Sequence, residues 1–165
     1  ARGAWRWRES MTAQQMWKEY AAACGAGEAY DAWAFGADAD ALAALVLRGE
    51  KTATASAQPL YEAEHAPLPQ PGQHSVVLGA DGQAMCIIRT EKVAVVPFCE
   101  VDAAHAFREG EGDKSLAFWR RAHEAFFSQE LQRAGLAFGP DMKVVCEEFR
   151  VVWPPDAAVR KEVPV

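Results

Sequence analysis

The sequence predicts an α+β domain: a small, mostly antiparallel β-barrel with flanking α-helices. Three observations carry this. Strand-like runs at Ser75–Leu78, Ala84–Arg89 and Val93–Phe98 follow one another closely, the first two separated by an Asp81-Gly82 turn of the hairpin type. Helical patterns flank them without a regular strand–helix–strand alternation, which argues against a doubly wound parallel sheet. The chain has 165 residues, 50% hydrophobic and 24% charged, enough for one domain with a core of its own.

In chain order, Met16, Trp17, Tyr20, Ala21 and Cys24 share one helical face. Ser10 or Thr12 is placed to cap that helix, Gln15 completes a capping box and Gly25 ends it. The aromatic link 29–36 puts Trp33 and Phe35 two apart, on one side of an extended segment. They read either as core anchors or as a base-stacking platform. Asp38 or Asp40 caps a second helix through Leu42, Leu45, Val46 and Leu47, and Gly49 takes the C-terminal glycine position. After this corner Thr52, Thr54 and Ser56 alternate with alanines, so the hydroxyls share one strand face.

The segment 62–72 is a proline-rich loop, and Glu62, Glu64 and His65 within it read as solvated rather than as metal ligands. A short helix is expected over 100–107. Beyond it Arg108-Glu109-Gly110-Glu111-Gly112-Asp113 forms a pliant loop with three carboxylates. Asp113 or Ser115 caps a long helix whose Leu116, Trp119, Phe126 and Phe127 face inward and which Gly135 stops; His123 on it reads as a packing or surface residue. A last strand over 144–153 ends at Pro154-Pro155.

The net charge of −6 disfavours a sequence-blind nucleic-acid coat but allows a neutral nucleoside as ligand. Four cysteines without a C-x-x-C pair suggest a reducing, cytoplasmic setting and no disulfide framework. No stretch approaches the roughly 18 apolar residues of a membrane span, and no signal peptide is recognisable. The Arg/Trp-rich start, 1–8, reads as a frayed extension or as an arm able to stack on bases.

The corner itself holds the chemistry. A lysine half buried between helix and strand is a candidate base, and a hydroxyl three residues on is a candidate nucleophile, which singles out Lys51 and Thr54. The series Trp33-Ala34-Phe35-Gly36, Gly49-Glu50-Lys51-Thr52-Ala53-Thr54, Val95-Val96-Pro97-Phe98 and Glu109-Gly110-Glu111-Gly112-Asp113 resembles the ASCH (ASC-1 homology) domain. Its G-x-K-x-x-T hallmark is met by Gly49, Lys51 and Thr54. The resemblance places the domain at 29–155, after an N-terminal extension and helix (1–28) and before a tail (156–165), and implies a PUA-like fold. It also implies RNA-linked roles, and among small bacterial members hydrolysis of N4-acetylcytidine by a lysine, a threonine and a glutamate. These carry over to Lys51, Thr54 and Glu109, with Glu111 the alternative carboxylate. Trp33, Phe35, Ser56 and Glu111 are then expected to bind the substrate, with no metal or other cofactor. In the mechanism so implied, a neutral Lys51 takes the proton of Thr54, and the oxyanion rests on backbone N–H groups or on Lys51 once charged. A ribonuclease and a non-catalytic RNA-binding module are the alternatives; monomer and homodimer are both open.

Overall fold

The computed structural model describes residues 10–159; the Arg/Trp-rich start and most of the expected C-terminal tail lie outside them. Helix α1 (Ala13–Cys24) opens with Thr12 as N-cap in a full capping box with Gln15, and Gly25 in the left-handed region closes it. Strand β1 (Asp31–Ala34) leads to helix α2 (Ala39–Leu47), capped by Asp38. Strand β2 (Ala53–Ala57) and helix α3 (Gln58–Ala63) follow, then β3 (His74–Leu78) and β4 (Ala84–Pro97). A single 3-10 turn at Phe98–Glu100 precedes α4 (Ala103–Glu109), α5 (Leu116–Arg133), β5 (Lys143–Trp153) and α6 (Pro155–Val159).

The strands form one sheet in the order β1-β3-β4-β5-β2. Among the described residues, only the β1–β3 pair is parallel. The sheet curls into a half-barrel, and two register shifts against β5, at Ile87/Ile88 and Thr90/Lys92, mark where β4 bends. The two strands expected over 84–98 are therefore one: the polar break at Thr90–Lys92 is a bulge inside a continuous strand. Two further expectations are corrected. Helix α3 takes in Glu62 and Ala63, placed in a loop by the sequence reading, because Pro59 sits in the first helical turn where its missing N–H costs nothing. Glu109 is the last residue of α4, not part of a loop, because Asp102 rather than Glu100 begins that helix by accepting from the His105 N–H.

Adjacent residues on a strand point to opposite faces, and both faces are covered. Val76 and Ile87 pack with Met16, Trp17 and Tyr20 of α1. Val77, Cys86 and Ile88 pack with Ala43 and Val46 of α2. A third cluster sets Trp119, Phe127 and Leu131 of α5 against Ala57, Phe98 and Val144. All four cysteines are free. Among the described residues, no helix is long and apolar enough to cross a membrane.

Candidate active site

The site forms where the end of α2 meets the end of α4. Gly49, with φ of 76°, turns the chain after α2, and the Leu45 carbonyl accepts from the N–H groups of both Glu50 and Lys51. Lys51 is thus delivered as the helix ends. The Thr52 N–H donates to the Arg108 carbonyl at 2.7 Å, which ties this corner to the last turn of α4. Gly110 makes the approach feasible: its φ is 70°, and a Cβ there would lie 2.8 Å from the carbonyl carbon of Glu50 and 3.2 Å from the Lys51 nitrogen.

Lys51 and Glu109, fifty-eight positions apart, meet in an ion pair at 3.1 Å, each side chain about 1% exposed. The same ammonium donates to Glu111 Oε2 at 2.9 Å; Glu111 is 21% exposed. Glu109 receives more donors. Its Oε2 accepts from His105 Nε2 at 2.8 Å and from the indole N–H of Trp119, and its Oε1 lies 3.4 Å from His123 Nε2. His123 Nδ1 is 2.9 Å from the Trp119 carbonyl, which can only accept, so both ring nitrogens carry hydrogen when Nε2 faces the carboxylate. Burial opposes charge on Glu109, yet the Lys51 ammonium and the bonds from His105 and His123 hold it well below the usual carboxylate range. For His123, burial works against the imidazolium, and the bond and charge of Glu109 outweigh it and raise its pKa. Lys51 and His123 thus stand against the two carboxylates of Glu109 and Glu111.

This geometry revises the role given to Lys51. The expected lone desolvated amine is instead an ion-paired donor with two carboxylates. Two of its three N–H groups are spent on them, leaving one, and its nitrogen lies 5.2 Å from the centre of the Phe35 ring. Glu109, Glu111 and His123 also bring three possible metal-ligand atoms within 4.8 Å of one another. Lys51 is already bonded to both carboxylates, so a metal ion would lie against a fixed positive charge. The lysine is the better-fitting cation.

Two cavities adjoin. The smaller, about 110 Å³, is lined by Lys51, Thr54, Glu109, Glu111 and His123, with Phe126 on its apolar side. The larger, about 420 Å³, is lined by Trp33, Ser56, Tyr61, Thr90, Phe126 and Glu147 among others. Phe35, Thr54 and Ala55 line both. The structure therefore gathers Lys51, Thr54, Glu109 and Glu111 at one cavity. It sets Ser56 and Trp33 at the other, where the Ser56 hydroxyl is 2.8 Å from that of Tyr61. Trp33 and Phe35 touch edge to face at 5.0 Å and pack on the α2 core, as core anchors do, and both also line the larger cavity.

Three site residues escaped the sequence reading: His105, His123 and Glu147. His123 had a visible cue, since Trp119, His123, Phe127 and Leu131 recur every four residues and all are buried. Glu147 had one too. Adjacent glutamates at 147 and 148, in the middle of a strand rich in valine, must face opposite sides of the sheet.

Residues 31–153 match the ASCH domain. The chain belongs to the ASCH domain family. Its fold is similar to that of an ASCH domain from Lactobacillus crispatus JV V101, with a TM-score of 0.78 and 37% identity over 84% of this chain and 92% of that one. It is equally similar to a protein of Enterococcus faecalis V583, with a TM-score of 0.79 and 35% identity over 84% of this chain and 86% of that one. No curated protein matches it.

Proposed function

We propose that this ASCH domain is an amidohydrolase that removes the acyl group from an N4-acylated cytidine such as N4-acetylcytidine. The observation that carries the reading is the buried Lys51–Glu109–Glu111 ion-pair cluster in one small cavity with the Thr54 hydroxyl. An acyl group of a few heavy atoms fits that cavity. Thr54 attacks the acyl carbon and its proton passes to Glu111, the more open carboxylate. The oxyanion accepts from the remaining N–H of Lys51, a preformed donor in a water-poor site. The C–N4 bond breaks as a proton is delivered to the cytosine, releasing cytidine. Water then hydrolyses the threonine ester, its O–H joining the acyl carbon to give the free acid and its other proton passing to solvent, while Glu111 returns its proton to the Thr54 oxygen. Glu109, saturated by Lys51, His105, Trp119 and His123, is a positioning residue that fixes the lysine.

The larger cavity supports a nucleoside over a polynucleotide. Its described lining has no lysine or arginine but has Asp31 and Glu130, surroundings that disfavour a phosphodiester backbone and leave an uncharged nucleoside indifferent. The two buried histidines are a poor acid–base pair for RNA cleavage, since His105 is held by Glu109 and His123 by Glu109 and the Trp119 carbonyl. The test compares N4-acetylcytidine, its 5′-monophosphate and an unstructured RNA with wild-type protein. The expected order of kcat/KM is nucleoside above nucleotide, with the RNA left intact. RNA cleavage, or salt-sensitive RNA binding without deacylation, overturns the reading.

A further inference from the structure

Glu147 lies in the wall of the larger cavity and has no part in the Lys51 cluster. It is the cross-strand partner of Thr54 in the β2–β5 register, so the two side chains share one sheet face, with Cβ atoms roughly 4.5–5.5 Å apart. Thr54 borders both cavities, so the Glu147 carboxyl stands beside the nucleophile on the side opposite Lys51. Its Oε1 accepts a long bond from the Thr90 hydroxyl, 3.4 Å. Its titratable neighbours in the cavity lining are Asp31 on β1, Tyr61 on α3 and Glu130 on α5, with Cys146 beside it on β5, and none of these is a cation.

We infer that Glu147 is the acid that recognises and releases the cytosine ring, binding its N3/N4 edge as a neutral carboxyl group. This rests on the amidohydrolase reading for its catalytic half only. N4-acylcytosine presents an acceptor at N3 beside a donor at N4–H, and a carboxylic acid matches that edge with one O–H and one carbonyl oxygen. The Thr90 bond marks Oε1 as the acceptor oxygen, leaving the proton to Oε2. When the C–N4 bond breaks, its electron pair passes to N4 and into the ring, and the Glu147 proton moves to N3. Cytosine leaves as its neutral imino tautomer and returns to the amino form in water, which also reprotonates Glu147. Burial, with Asp31 adding to it against the Thr90 bond, pushes the Glu147 carboxyl up to about 7, so the neutral form is available near neutrality.

The experiment measures cytidine binding and N4-acetylcytidine turnover against pH for wild type, Glu147→Gln and Thr90→Val. In wild type both should weaken as pH rises past about 7. Glu147→Gln should keep KM within several-fold, lower kcat by about 100-fold and lose that alkaline limb. Thr90→Val removes a bond that favours the carboxylate, so the limb should move to higher pH. An alkaline limb that persists in Glu147→Gln belongs to another group, such as His123, and overturns the assignment, as does cytidine binding independent of pH. Binding that follows the predicted pattern without turnover removes the amidohydrolase reading and leaves Glu147 as the ring-recognising residue.

Discussion

Glu109 and Glu111 are two residues apart and both bond Lys51, but their surroundings differ. Glu109 is enclosed and accepts from three other side chains, whereas Glu111 keeps a fifth of its side chain in solvent. Replacing one partner of a buried ion pair leaves uncompensated charge, so Glu109→Gln should lower unfolding free energy by about 3–5 kcal/mol in denaturant titration. Glu111→Gln should change stability by less than about 1 kcal/mol and lower kcat by roughly 100-fold or more. A stable Glu109→Gln enzyme with kcat reduced, beside an unaffected Glu111→Gln enzyme, would reverse the two roles. The Lys51–Thr54 spacing was legible in the chain because it is local. The partners of Glu109 were not: His105 and His123 lie on two helices, and only the packing of α4 on α5 brings them to one carboxylate.

At the scale of elements, the N-caps of α1, α2 and α5 each fell on one of the two residues the sequence offered, whereas Asp102 at the start of α4 was not among the candidates. Thr12 with Gln15, Asp38 and Ser115 each satisfy backbone N–H groups within three residues, a purely local matter. The bulge joining two expected strands into β4 was not legible, because it depends on the register with β5. The junction of α4 with the lysine corner rests on Gly110, which combines a left-handed conformation with near contact to the Glu50 carbonyl carbon. Gly110→Ala should therefore destabilise by more than the roughly 1 kcal/mol of an ordinary left-handed glycine, and activity should fall with it as Lys51 and Glu109 are forced apart. Thermal unfolding and kcat measured on one preparation check both. A variant as stable and active as wild type would mean that the two segments need not lie so close.

For the whole molecule, the half-barrel and its helices were legible as a class, while the position of Glu147 over a cavity required the completed sheet. Glu147 also links stability to pH. Its folded value, about 7, exceeds the ordinary 4.5, so across that interval the folded state holds a proton that the unfolded chain has released, and stability falls as pH rises. Glu147→Gln removes the effect. It should be neutral near pH 4 and stabilising above pH 7, by on the order of 2–3 kcal/mol, in unfolding titrations across that range. An advantage confined to low pH would contradict the sign.

Hydrolysis of an N4-acylcytidine by the Lys51 cluster is tested by following the conversion of N4-acetylcytidine to cytidine by absorbance at neutral pH, with wild type and Lys51→Ala. Wild type should turn over steadily and the variant should lose at least roughly 100-fold, as for removal of a preformed oxyanion donor. No turnover by wild type above a buffer blank, or turnover undiminished in Lys51→Ala, would contradict it.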